Sequence, residues 1–343
     1  MAASTRFSSG RAISSERESS SLTGSPLPWD ATGWRETVDA WIEDSLANFG
    51  IAQAGAVEHL RARPWAATAR VPTAEGAIYF KASAPSEAHE PHLTLALARR
   101  RADVVPEVLR IEPRQAWMLM RDGGPQLREL IAEPPDPAIW RMLLPLYAEL
   151  QIELCDSVGD LLALSTPDKR PEGLVRAYED LLSRWPDADP APPTAEIAAM
   201  VEKLGETIPA SLAHEEFGDN NILLRDGSPT VIDWAEAAVE HPFCGLVNTF
   251  RGLVARWGFD AGGPNLVRFR DVYLEPWTRF AAMPELIELF ALAYALGMVC
   301  RALAWDRLVA ALTGPARDEY AHNVRAWLAI LSDTLEGKAT LGT

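Results

Sequence analysis

The first third of this chain reads as short strands and the rest almost wholly as helix, a division that narrows the choice of fold more than any other property of the sequence. Residues 57–61, 67–71 and 77–81 are strand-like runs, and Glu75-Gly76 supplies turn chemistry between the last two. Residues 93–101 carry helical spacing, 108–111 and 117–120 are strand-like again, and Asp122-Gly123-Gly124 breaks the chain. Ahead of them, Trp34, Val38, Trp41, Ile42 and Leu46 recur at helical spacing, which predicts an amphipathic helix over 34–49 that Gly50 terminates. Five strands with one inserted helix, followed by long helices, predict an α+β, two-lobed molecule. Its small β-rich lobe spans 28–121 and its larger, mainly α-helical lobe spans 122–343. At 343 residues and 48% hydrophobic content, the chain has enough apolar surface for two lobes. Residues 1–27, Ser-rich and without periodicity, are expected to form a disordered tail.

Beyond Gly124 helices are predicted over 138–154, 174–184, 195–204, 266–283, 285–312 and 317–335. The exception is informative. Two short apolar runs, 221–224 and 230–232, flank the turn Arg225-Asp226-Gly227-Ser228, and a lone hairpin embedded in helices presents residues at its ends. Immediately before it stands His214-Glu215-Glu216-Phe217-Gly218-Asp219-Asn220-Asn221, and immediately after it Ile232-Asp233-Trp234. Phosphoryl transfer needs a group beside the attacking hydroxyl and oxygen ligands for Mg²⁺. The Asn221 amide and the Asp233 carboxylate are hard donors of that kind. A zinc-protease reading of His214-Glu215 fails, because Gly218 stands where the second histidine is required.

Residues 214–221 together with Val231-Ile232-Asp233-Trp234 resemble the catalytic loop and metal strand of the aminoglycoside phosphotransferase and choline kinase family. The resemblance covers about residues 55–260 and implies a protein-kinase-like fold that uses ATP, with GTP as an alternative, and Mg²⁺ to phosphorylate a hydroxyl of a small molecule. It implies catalytic roles for Glu216 and His214 and metal ligation by Asn221 and Asp233. Lys81, ending a strand, resembles the lysine that neutralises nucleotide phosphates, with Glu90 as its partner and Glu87 as the fallback. Thr68 and the backbone of Arg121 and Gly123 complete the expected nucleotide contacts. Two departures stand out: the family usually has Asp where this chain has Glu216, and no Gly-x-Gly-x-x-Gly loop joins the first two strands. Asp219 is a poor substitute base, being only two positions before Asn221. These departures motivate a second reading, a catalytically silent nucleotide-binding protein.

Charge and cysteine content limit the partners. With 48 acidic against 32 basic residues, the net charge of −16 disfavours nucleic acid and anionic membranes and would attract a cationic acceptor. Three widely spaced cysteines indicate neither a disulfide framework nor a thiolate metal site. With no uninterrupted apolar run of about 18 residues, a cytoplasmic protein is expected. Trp140, Trp185, Trp277 and Trp305 are read first as core residues and second as walls of an acceptor cleft.

Overall fold

Burial alternates with period two along β2 (Ala66–Thr73), as the pleat requires when one face is covered, and β2 pairs in register with β3 (Gly76–Ser83). The structure, a computed structural model, describes residues 27–131, 135–188 and 190–337; all but the last residue of the expected tail lies outside them. With β1 (Glu58–Arg63), β4 (Val108–Glu112) and β5 (Trp117–Arg121), these strands form an antiparallel sheet in the order β1-β2-β3-β5-β4. Helix α1 (Trp34–Asn48) buries Val38, Ile42 and Leu46 in one apolar core with Val71, Phe80 and Leu119 of the sheet. Fully burying each such side chain contributes about 1.5–3 kcal/mol. Trp41 meets Phe80 and Trp117 edge-on, with ring centroids 6.0 and 5.7 Å apart. As expected, Gly50 ends the helix, at φ 66°.

Successive residues of a strand face opposite ways, so where Phe80 turns to α1, Lys81 turns to α2 (Glu90–Arg100). Helix α2 lies against β4, yet its Leu93 and Leu97 join Val104 and Val105 in the apolar core of the second lobe. The two lobes are thus stitched together at α2.

The second lobe comprises α3 (Ala138–Leu154), α4 (Val158–Ala163), α5 (Pro171–Arg184), α6 (Thr194–Leu204), β6 (Ser211–Ala213), β7 (Ile222–Arg225), β8 (Ser228–Val231), β9 (Ala238–Glu240), α7 (Val247–Ala255), α8 (Pro264–Leu274), α9 (Met283–Ala310) and α10 (Gly314–Leu335). The expected hairpin is β7–β8; its central residues Asp226 and Gly227 have φ 51° and 80°, the left-handed pair of a tight two-residue turn. It is not alone. β6 and β9 form a second antiparallel ladder that the sequence reading missed, three residues to a strand and fully buried. The helix expected over 266–283 stops at Leu274 and continues as a 3₁₀ turn, Glu275–Arg279; Pro276 lacks the N–H that an α-helix would use there.

Helix α9 is long and apolar enough to cross a bilayer, but 72% of its most apolar window is buried within this chain, as befits a core helix. Its closest approach is at Gly297, where an added Cβ would lie 2.3 Å from the Cys244 carbonyl oxygen and 2.6 Å from Val247 Cγ2. Gly297→Ala is therefore expected to lower unfolding stability by about 1–3 kcal/mol or more through overpacking. Gly252 in α7 has nothing within 4 Å of its added Cβ and lies outside the left-handed region, so Gly252→Ala should raise stability by about 0.5–1 kcal/mol. Urea midpoints of the two variants moving together would contradict this packing account.

Candidate active site

A buried lysine bridges the lobes. Lys81, 6% exposed, donates through its ammonium to Glu90 Oε1 at 2.6 Å and to Asp233 Oδ1 at 2.5 Å, while the Ser83 hydroxyl secures Glu90 Oε2 at 2.6 Å. Burial alone would discharge the ammonium, but Asp233 and Glu90 outweigh it and hold its pKa above the ordinary lysine value. Burial likewise opposes the Asp233 carboxylate, and Lys81 keeps that group below the usual carboxylate range. Glu90 reaches the lysine because it opens α2, with Pro91 accommodated in the first turn. The fallback residue Glu87 turns elsewhere, to Arg307 of α9 at 2.8 Å.

The β7–β8 pairing places the ends of the hairpin together. The Ile232 N–H donates to the Asn221 carbonyl at 2.9 Å, so Asn221 enters the hairpin beside the strand that delivers Asp233. Asn221 donates through Nδ2 to the Glu216 carbonyl at 3.0 Å, and its Oδ1 accepts from Asn220 at 2.9 Å. His214, fully buried, ties loop to strand: Nε2 donates to the Ile232 carbonyl at 2.9 Å and Nδ1 accepts the Glu216 N–H at 3.3 Å. Those partners define a neutral tautomer, and burial pushes its pKa down. His214 is placed to brace the loop rather than to move a proton.

Glu216 and Asp233 open on one narrow cleft, shared with Trp65, Glu87, Glu236 and Trp305. The Glu216 side chain is 35% exposed. Desolvation, reinforced by the negative Glu236, pushes the Glu216 acid up to about 8 against the pull of Arg301. Two non-glycine residues of the site, Glu215 at φ 59° and Asp233 at φ 66°, occupy left-handed backbone, a strain that persists only where the surroundings impose it.

The remaining expected contacts are spread more widely. Thr68 lies in β2 directly opposite Lys81, and not in a loop. The strands before and after it meet at a two-residue turn, Pro64-Trp65, between Arg63 and Ala66. Arg121 gives its N–H to the Glu107 carbonyl at 3.0 Å and its guanidinium to Glu107 and Glu75. Gly123 is a point of tight packing, where an added Cβ would lie 2.8 Å from Leu223 Cδ1. Asp219 pairs with Arg128 at 3.2 Å and accepts from the Trp257 indole at 3.2 Å, a structural commitment. Trp140, Trp185 and Trp277 are core residues, while Trp305 lines the cleft.

Several site residues escaped the sequence reading. Arg301 of α9 reaches Glu215, Glu216 and Glu236; Lys169 pairs with Glu215; and Trp65 packs edge-on against Trp305 and Tyr320, with centroids 6.4 and 5.4 Å apart. A lone arginine inside the apolar run of α9 was a readable signal, since charge is buried only with partners. Glu236, three residues after Asp233, was another. Lys169 and Trp65 carried none.

A family model described as the phosphotransferase enzyme family matches residues 65–289. No curated protein matches the chain. Among solved structures it is similar to macrolide 2′-phosphotransferase type I, at 15% identity and TM-score 0.56 over 88% of this chain and 97% of that one. It is also similar to the ethanolamine kinase of Plasmodium vivax, at 11% identity and TM-score 0.58 over 82% and 84% of the two chains. A third is the GDP complex of aminoglycoside 2′-phosphotransferase-IIIa, at 14% identity and TM-score 0.54 over 88% and 99%. At these identities the likeness is one of fold.

Proposed function

Because the chain belongs to the phosphotransferase enzyme family, we propose that it moves the γ-phosphoryl group of ATP to a hydroxyl of a small molecule in a Mg²⁺-dependent reaction. The observation that carries this reading is the Lys81 bridge between Glu90 and Asp233, made in the same cleft that Glu216 enters. Lys81 neutralises nucleotide phosphates, and Glu90 aims it. The nucleotide lies between residues 28–121 and the larger lobe, with Thr68 on the strand opposite Lys81.

The donor set suits a divalent cation. Lys81, Lys169, Arg301 and Arg307 face the carboxylates of Glu87, Glu90, Glu215, Glu216, Asp233 and Glu236, so anionic groups outnumber cationic ones by two when all are ionised. In the free protein desolvation pushes both Glu87 and Glu216 up to about 8. Asp233, 39% exposed beside the cleft, and Asn221 would hold Mg²⁺ through hard oxygens, Asn221 Oδ1 exchanging its contact with Asn220. Mg²⁺ there supplies charge neutralisation to the transferred phosphoryl group. Glu216 orients the acceptor hydroxyl and accepts its proton, and the His214 and Asn221 contacts fix the height of its backbone.

Trp65 and Trp305 line the same cleft, and their rings would suit an acceptor bearing a cationic group. The ethanolamine kinase and the aminoglycoside phosphotransferase to which the chain is similar act on amine-bearing compounds by their names. The test is turnover of ATP and GTP with Mg²⁺ over amino alcohols, aminoglycosides, sugars and nucleoside antibiotics. An amine-bearing acceptor is expected to be phosphorylated at about 1–100 s⁻¹, and chelating Mg²⁺ to abolish the reaction. Mg²⁺-dependent nucleotide binding without turnover of any acceptor would replace this reading with that of a silent nucleotide-binding protein.

A further inference from the structure

Arg301 is left without a task by the scheme above. It is 2% exposed in α9 between Cys300 and Ala302, a depth at which a guanidinium is tolerated only when its donors are matched. Nη1 donates to Glu215 Oε2 at 3.2 Å and to the Glu236 carboxylate, and Nη2 donates to Glu216 Oε1 at 3.2 Å. The face of Trp327 in α10 lies 5.8 Å from the guanidinium carbon. Behind it, Lys169 holds the other oxygen of Glu215 and donates to the Cys300 carbonyl at 3.1 Å, one residue before Arg301. The Nε–H finds no acceptor among the described residues, so the carboxylates set the orientation of the fork.

We infer that Arg301 is a positioning residue: it fixes the Glu216 carboxylate toward the acceptor hydroxyl and supplies the restraint that the longer side chain at this position needs. The inference rests on the role proposed above for Glu216. A glutamate has one more staggered torsion than an aspartate, so an unrestrained carboxylate samples about threefold more wells. A charge-assisted hydrogen bond from a rigid donor selects among them. The planar fork reaches three carboxylates at once, whereas a lysine ammonium offers a single point charge. The left-handed backbone at Glu215 serves the same end, because its buried side chain joins Lys169 and Arg301 while the next residue faces the cleft.

The test is a cycle of Arg301→Lys and Arg301→Gln, each alone and combined with Glu216→Gln, with kcat, KM for Mg-nucleotide and thermal midpoint measured for every protein. Arg301→Lys keeps a cation among the carboxylates and guards against a variant that fails to fold. It is expected to lower kcat about 10–100-fold, the scale of a misplaced reacting group, with nucleotide KM within about twofold. In the Glu216→Gln background the same change should add little, since the group it positions is already lost. Full kcat in Arg301→Lys, or its whole loss repeated in the Glu216→Gln background, would reduce Arg301 to a fold residue and overturn the inference alone. Undiminished activity in Glu216→Gln by itself would overturn the base assignment, and this inference with it.

Discussion

Asp233→Asn is expected to lower kcat by about 10³-fold or more and to remove the dependence of nucleotide binding on Mg²⁺. The carboxylate is the one strongly charged oxygen donor proposed for the metal, and metal stabilisation of phosphoryl transfer amounts to several kcal/mol, each ~1.4 kcal/mol being tenfold in rate. The substitution is a clean one. Asparagine tolerates the left-handed backbone that Asp233 adopts at φ 66°, and its amide can still accept from Lys81. Kinetics across a Mg²⁺ titration, with the thermal shift produced by nucleotide, read out both effects. A variant with ordinary turnover and an unchanged metal requirement would take Asp233 out of the chemistry.

Glu216→Gln should cost about 10²–10⁴-fold in kcat, the usual share of a positioned general base. Its second signature lies in the pH profile. In the free protein the Glu216 acid is pushed up to about 8, and only the ionised form can accept the hydroxyl proton. Below that pH the wild-type kcat/KM therefore rises about tenfold per unit, levelling as Glu216 ionises. The glutamine variant should lack this limb, since an amide has no proton to lose in that range. A limb unchanged in the glutamine variant would assign it to another group.

The strands of the first lobe and the spacing of the site could be read from the sequence because both are local. Period-two burial in β2, the Asp226-Gly227 turn and the interval from His214 to Asn221 each depend on neighbours a few residues apart. Lys81 and Glu90 are nine residues apart and could be paired by the order of strand and helix. What stayed hidden is set by distant contacts. The β6–β9 strands are three residues each, too short for a pattern, and pair across the whole intervening stretch 214–237. Helix α7 follows a buried 3₁₀ turn that masks its start. Arg301 lies 85 residues from Glu216 and 65 from Glu236, and nothing local to α9 names those partners. The packing of Gly123 against Leu223 and Thr230 of the β7–β8 hairpin was equally out of reach, since those residues lie about 100 positions further along the chain.

The allegiance of α2 bears on how substrates enter. Its Leu93 and Leu97 are rooted in the core of the helical lobe, and Glu87, just ahead of it, is moored to α9 through Arg307, whereas Lys81 rides on the sheet. Because α2 is bound to the sheet, through β4 and Ser83, as well as to the helical core, any parting of the lobes would have to break one of these attachments. It would also separate Lys81 from Asp233 and Trp65 from Trp305 and Tyr320. The ion pair through which Lys81 joins the lobes therefore exists only while they are shut.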